Sequence, residues 1–221
     1  MSFGFGAEDL LNCYRQGVFP MAEHRDDPDV FLVDPEVRGV LPLNGFHIPR
    51  SLKKVIRSEP FQIRANTAFS RVMEACAEPT PDRPSTWINT PILNLYSDLH
   101  HRGYAHSVEC WSDNKLVGGL YGVSVGGAFF GESMFSRATN ASKIALVHLV
   151  ARLLHGGFVL LDAQFTNPHL EQFGIEEVRR ADFRKLLKEA LTYPGDFLAY
   201  DSLPESERSG AAAIQRITQT S

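Results

Sequence analysis

The chain has 221 residues, 43% of them hydrophobic and 22% charged, which is typical of a globular protein with a full apolar core. The formal net charge of −4 at pH 7 excludes nucleic-acid binding through the overall electrostatic field, so any such binding needs a local basic patch. No apolar run approaches the roughly 18 residues that cross a bilayer, and residues 1–17 lack the basic start and apolar stretch of a secretory signal.

Turn-forming glycines and prolines are dense in residues 1–60, and two short helical stretches lie among them. The first predicted helix covers about 7–16. The second follows Pro49, a residue suited to a first helical turn, and ends before Pro60. We interpret residues 1–60 as a small N-terminal domain that carries a basic helix.

Longer elements begin near Phe61. The predicted elements are, in chain order, helices over 68–77 and 90–102, strands over 105–111, 115–123 and 128–135, a helix over 141–154, a strand over 158–164 and a helix over 180–191. Prolines 79, 81 and 84 predict a loop between the first two helices, and Asn140 is a plausible cap of the helix over 141–154.

This order of elements is typical of an α+β fold of the acetyltransferase (GNAT) type, with a central mixed sheet flanked by helices, over residues 61–200. Residues 201–221 are small and polar, which predicts a flexible tail. The three cysteines (Cys13, Cys76 and Cys110) are far apart and have no histidine at zinc-site spacing. They predict reduced thiols and no metal site.

Four cations recur at helical spacing in the second predicted helix: Arg50, Lys53, Lys54 and Arg57. Positions i, i+3, i+4 and i+7 share one face of a helix, while Leu52, Val55 and Ile56 occupy the opposite side. Such a face can hold several phosphates. An ordinary solvated amphipathic helix has the same pattern, so both interpretations stay open.

An acid lies among apolar residues where the third predicted strand ends. Alternation places Glu132 and Met134 on one face, and a partly buried acid needs a partner. That partner is either Arg137, in a salt bridge, or a positively charged group of a substrate.

Two polar residues end the buried strand over 158–164. Asp162 and Gln164 are separated by two positions, so their side chains share a face. Asp162 can then hold Gln164 by a hydrogen bond, and Gln164 can present its amide to a reacting group. A polar strand end that caps the following turn is the alternative.

Several motifs together resemble the leucyl/phenylalanyl-tRNA–protein transferase family. They are Tyr14-Arg-Gln-Gly-Val-Phe-Pro20, His47-Ile-Pro-Arg-Ser-Leu-Lys53, Thr86-Trp-Ile88, Gly103-Tyr-Ala-His-Ser107, Leu116-Val-Gly-Gly-Leu-Tyr-Gly122, Gly131-Glu-Ser-Met-Phe-Ser136, Asn140-Ala-Ser-Lys143 and Asp162-Ala-Gln164. They occur in the family's order and extend over almost the whole chain.

The resemblance implies a role for each candidate residue. Asp162, Gln164 and Glu132 match residues that assist peptide-bond formation. An apolar pocket for the donor side chain is implied at Leu120, Phe129, Met134, Leu149 and Leu153. Contact with the terminal adenosine is implied at Tyr14, Trp87 and Tyr96, which from the sequence alone are equally core aromatics. The tRNA acceptor stem is implied at Arg50, Lys53, Lys54 and Arg57.

The resemblance also implies the reaction. Leu or Phe, and Met less well, would move from aminoacyl-tRNA to the N-terminal α-amine of proteins that begin with Lys or Arg, creating an N-degron. The enzyme would be a cytoplasmic monomer without a cofactor or membrane contact. One rival is an acyltransferase that uses acetyl-CoA, although its usual [QR]-x-x-G-x-[GA] turn is not found. The other is an RNA-binding adaptor without catalysis.

Overall fold

The computed structural model describes residues 5–80 and 84–220, so residues 1–4 of the expected N-terminal domain, Pro81 of the expected loop and residue 221 of the expected tail lie outside the described residues. The helices are α1 (Ala7–Arg15), α2 (Arg50–Arg57), α3 (Phe69–Ala77), α4 (Thr90–His101), α5 (Ala141–His155), α6 (Pro168–Glu171), α7 (Arg180–Ala190) and α8 (Gly210–Gln219). The strands are β1 (Phe19–Met21), β2 (Phe31–Val33), β3 (Val37–Leu41), β4 (Gln62–Ala65), β5 (Ala105–Ser112), β6 (Lys115–Val125), β7 (Ala128–Ser136), β8 (Leu160–Asp162) and β9 (Glu176–Arg179).

The long elements agree with the predicted ones to within a few residues. The α+β class and the mixed sheet flanked by helices are therefore confirmed, while the acetyltransferase-type assignment stays a prediction. Asn140 is the N-cap residue of α5, as expected. Asn140 has a left-handed backbone with φ of 66°, and its side chain makes no capping hydrogen bond.

Seven strands form the main sheet in the order β4-β5-β6-β7-β8-β3-β9. Neighbouring strands are antiparallel except for β7 and β8, which are parallel and are connected by α5. Strands β1 and β2 form a separate antiparallel pair.

The main sheet extends across the expected boundary at residue 60. Strand β3 comes from the first 60 residues, yet it lies between β8 and β9, with Val40 opposite Asp162. Residues 37–41 are therefore part of the main sheet, and the division of the chain into domains at residue 60 stays a prediction.

Each face of the sheet carries its own apolar cluster. One cluster includes buried residues of α1, α3 and α4, and the other includes buried residues of α2, α5 and α8. Helix α5 is buried along nearly its whole length, which explains why its sequence is apolar around all sides. No helix among residues 5–80 and 84–220 is both long and apolar enough to span a bilayer.

The flexible tail predicted for residues 201–221 is wrong for the part that the structure describes. Ser209 caps α8 by accepting a hydrogen bond from the Ala212 backbone N–H at 3.2 Å, and Ile214 and Ile217 are buried in the cluster that contains α5. Gly210 lies so close to α2 that a Cβ there would be 2.5 Å from the Ile56 carbonyl oxygen. Helix α8 therefore supports the basic helix from behind.

Candidate active site

A cavity of about 940 Å³ opens between the end of β7, the start of α5 and the segment that follows β8. One part of its wall is apolar and is formed by Leu41, Leu120, Met134, Leu146, Leu149 and Leu161. A second, polar part of the wall is formed by Glu132, Asp162 and Gln164. The volume suits a small organic group, and the few polar residues that converge on an apolar wall are typical of a binding site.

Glu132 lies in a β-bulge of β7. Tyr121 is opposite Ser133 and Gly122 is opposite Gly131, so Glu132 has no partner on β6. A bulge adds one residue to one strand and reverses the alternation beyond it. Met134 consequently packs in the cluster of α5, whereas Glu132 points towards the cluster of α1 and α4, so the expectation that they share a face is wrong.

The Glu132 carboxylate accepts three hydrogen bonds from neutral donors. Tyr14 Oη donates at 2.8 Å, Tyr96 Oη at 2.9 Å and Gln164 Nε2 at 3.0 Å. Burial raises the pKa of Glu132 from 4.5 to about 7, although the two tyrosine hydrogen bonds oppose this. The expected salt bridge with Arg137 does not form, because that guanidinium pairs with Glu78 at 2.6 and 2.8 Å.

Asp162 is fully buried beneath the cavity, where its carboxylate forms an ion pair with Arg38. The Arg38 guanidinium also donates to the Gly17 carbonyl at 2.6 Å and lies over the rings of Phe19 and Phe183, at 4.9 and 4.4 Å from their centroids. Burial raises the pKa of Asp162, and Arg38 opposes the rise. Arg38 was not predicted, since nothing local in residues 37–41 shows that its partner lies on β8.

Gln164 follows β8 in a left-handed backbone conformation, with φ of 57°. Its backbone N–H donates to Asp162 Oδ1 at 2.9 Å, and its carbonyl accepts from the Gly39 N–H at 3.0 Å. Asp162 thus holds the backbone of Gln164, and not its side chain as expected. The amide nitrogen of Gln164 faces Glu132 and donates to its carboxylate, which in the ionised form can only accept. The amide oxygen then has no donor among the described residues.

Three of the five residues predicted to form the donor side-chain pocket line the cavity. Leu120, Met134 and Leu149 line the cavity, whereas Phe129 and Leu153 are fully buried behind its wall. Leu41, Leu146 and Leu161 also line it and were not predicted. The sequence held a signal for Leu146, which precedes Leu149 by three residues on the same helix.

Two of the three aromatic residues expected to contact the terminal adenosine are buried in the structure. Tyr14 and Tyr96 have no exposed surface, and their hydroxyl oxygens are in close contact with each other beside Glu132. Neither ring presents a face on which a base can stack in this structure. Burial raises the pKa of both tyrosines, so they remain neutral hydrogen-bond donors. Trp87 is partly buried against the same cluster and does not line the cavity.

The four basic residues of α2 lie on one helix, as predicted. Leu52 and Ile56 are buried, and Arg50, Lys54 and Arg57 are exposed. None of the four cations has a carboxylate partner within the part of the chain that the structure describes. Over those same residues, no group of three or more His, Cys, Asp and Glu side chains is arranged to hold a metal ion.

Comparison with known proteins agrees with the motifs. The family model described as leucyl/phenylalanyl-tRNA protein transferase matches residues 40–188, and the model of its N-terminal domain matches residues 5–36. The N-terminal model ends one residue before β3, and the longer model begins within β3.

Curated relatives match over nearly the full length of the chain, and each is named leucyl/phenylalanyl-tRNA–protein transferase. The protein of Hyphomonas neptunium is 63% identical over 95% of this chain and 81% of its own. That of Maricaulis maris is 59% identical over 99% of both chains, and that of Caulobacter vibrioides is 55% identical over both full lengths. The chain therefore belongs to the leucyl/phenylalanyl-tRNA–protein transferase family and is an aminoacyltransferase.

Proposed function

We propose that the enzyme transfers Leu or Phe, and Met less well, from aminoacyl-tRNA to the N-terminal α-amine of proteins that begin with Lys or Arg. The product would carry an N-degron. The observation that carries this proposal is the polar cluster of Glu132, Asp162 and Gln164, which adjoins an apolar cavity.

The apolar wall is the proposed site of the donor side chain. Leu120, Met134 and Leu149 offer flexible or branched aliphatic surface, which contacts Leu, Phe and Met without a polar group to satisfy. Burial of such a side chain contributes about 25 cal/mol per Å² of apolar surface, so small or charged donors are disfavoured.

The chemistry requires positioning more than activation, because an aminoacyl ester already reacts with amines. The acceptor amine attacks the ester carbonyl carbon, the C–N bond forms and the bond to the ribose oxygen breaks. The free amide oxygen of Gln164 accepts a hydrogen bond from the attacking amine, and Glu132 holds the Gln164 amide in that orientation. The amine proton passes through the adjacent ribose hydroxyl to the leaving oxygen.

Asp162 acts in this proposal as a positioning residue. It is fully buried and holds the Gln164 backbone, while Arg38 supplies its counter-charge. Tyr14 and Tyr96 position Glu132 in the same way, so their part in catalysis does not require contact with adenosine.

The remaining assignments concern the partners. The unpaired cations of α2 would contact phosphates of the tRNA acceptor stem. An acceptor that begins with Lys or Arg would bring its positive charge to Glu132, which lines the cavity and forms no ion pair within the described residues. The enzyme would act as a cytoplasmic monomer, with Trp87 as the remaining aromatic candidate for contact with the terminal adenosine.

The test is transfer of radiolabelled leucine from leucyl-tRNA to a protein with an N-terminal arginine. A second acceptor differs only by acetylation of that N-terminus. Label on the free-amine acceptor alone is the expected result. If neither acceptor is labelled, and phenylalanyl-tRNA with a lysine acceptor also gives no product, the proposal is wrong and coenzyme A thioesters become the donors to test.

A further inference from the structure

One lysine on the wall of the cavity has no acidic partner in the part of the chain that the structure describes. Lys143 is in the first turn of α5, and Leu146 and Leu149 of the next turns line the same cavity. Since an α-helix rises 1.5 Å per residue, Lys143 lies about 9 Å along the axis from Leu149. The lysine is therefore less than one turn from Leu146 and less than two turns from Leu149 of the apolar wall.

Within residues 5–80 and 84–220, no carboxylate pairs with the Lys143 ammonium. Its Nζ contacts the amide oxygen of Gln172 at 3.1 Å, and no described acid lies within ion-pair distance. Arg137, the other Lys or Arg among the described lining residues, is neutralised by Glu78. An anionic ligand would supply the opposite charge that the neutral Gln172 amide does not supply.

Two neutral polar side chains lie on the same part of the wall. The Asn140 side chain makes no capping hydrogen bond, and the buried Nε2 atom of His169 has no hydrogen-bond partner among the described residues. The pKa of His169 is lowered by burial and by the nearby Lys143 charge, which keeps the imidazole neutral. One cation beside neutral hydrogen-bonding groups is suited to a singly charged anion such as a phosphodiester.

We propose that Lys143 binds the phosphate group immediately 5′ to the terminal adenosine of the aminoacyl-tRNA. This inference rests on the proposed function and adds a phosphate subsite to it. With the donor side chain beside Leu149 and the ester beside Gln164, we place the adenosine along the part of the cavity wall that carries Lys143. The adenosine itself is uncharged, so the phosphate 5′ to it is the first charged group of the tRNA that would reach Lys143.

The test compares two stable donor analogues in which an amide joins leucine to the 3′ carbon of adenosine. One analogue carries a 5′ phosphate and the other a 5′ hydroxyl. Their dissociation constants are measured by calorimetry with the wild type, Lys143→Met and Lys143→Arg. Lys185→Met is the control, because Lys185 pairs with Asp182 on the surface of α7. Thermal unfolding checks that each variant is folded.

The wild type should bind the phosphorylated analogue about tenfold more tightly than the other. Lys143→Met should lose this ratio while binding of the 5′-hydroxyl analogue stays within about twofold, and Lys143→Arg should keep most of the ratio. An unchanged ratio in Lys143→Met, or an equal loss for both analogues, would overturn the subsite. A wild type that binds neither analogue would also overturn it. Failure of leucyl transfer from intact leucyl-tRNA would instead count against the proposed function.

Discussion

Arg38→Met is the substitution that tests the buried support of the active site. It removes the only counter-charge that the described structure gives to Asp162, together with the hydrogen bond to the Gly17 carbonyl and the stacking on Phe19 and Phe183. Methionine keeps much of the apolar stem, so the change is mainly one of charge and hydrogen bonding.

The expected loss follows from the burial of the pair. Arg38 and Asp162 have side chains that are 1% and 0% exposed, and removal of one partner of such a pair costs about 3–5 kcal/mol because the other charge is left uncompensated. Burial already raises the pKa of Asp162, and loss of Arg38 raises it further. Asp162 can then take up a proton, so the loss should be smaller at pH 5 than at pH 8.

The free energy of unfolding is measured in urea at both pH values. The matched control is Arg137→Met, since the side chains of the Arg137–Glu78 pair are 46% and 55% exposed and such pairs contribute about 1 kcal/mol or less. Asp162→Asn in the Arg38→Met background should restore part of the loss at pH 8. If Arg38→Met costs no more than Arg137→Met at pH 8, the reasoning about the buried pair is refuted.

Three further predictions concern the cavity, the acid and the basic helix. Leu149→Ala and Leu153→Ala should each lower the free energy of unfolding by about 2–5 kcal/mol, but only Leu149→Ala should shift donor competition from leucine towards phenylalanine. An equal shift in both would contradict the donor pocket. Burial raises the pKa of Glu132 from 4.5 to about 7, so the folded protein binds this proton more tightly than the unfolded chain does. The resulting stabilisation is fully present below pH 4.5 and is lost as the pH rises to 7, and the loss is about 3 kcal/mol at most. The stability difference between wild type and Glu132→Gln should therefore fall over this range, and a constant difference would disprove the assignment. In a plot of the logarithm of the tRNA binding constant against the logarithm of the salt concentration, Lys53→Gln should reduce the slope by about one. Lys188→Gln on α7 should leave this slope unchanged. The same slope in both variants would show that α2 does not contact phosphates.

Regular periodicity made the long elements predictable from the sequence. The alternation in residues 105–135 and the cation spacing in 50–57 each depend on neighbours within one element, so β5, β6, β7 and α2 were predicted close to their observed limits. The signals for α8 were also present, as Ser209 is a good cap and Ile214 and Ile217 are three residues apart. The polar composition of the preceding residues obscured them.

The support of the active site depends on contacts between distant parts of the chain. Arg38 and Asp162 are 124 residues apart, and no local pattern connects them. Tyr14 and Tyr96 were identified as important, yet their sequence neighbourhood does not distinguish a ring that stacks on a base from a hydroxyl that holds Glu132. The bulge at Glu132 likewise becomes visible only in the pairing of β6 with β7.

Single-turnover leucyl transfer by Gln164→Ala tests the central claim most directly. Rates are measured at saturating leucyl-tRNA, with donor binding measured separately, in the wild type and the variant. Gln164→Ala removes the amide oxygen that accepts a hydrogen bond from the acceptor amine, so the transfer rate should fall at least about 100-fold. The affinity for leucyl-tRNA should stay nearly unchanged. A rate equal to that of the wild type would contradict the account.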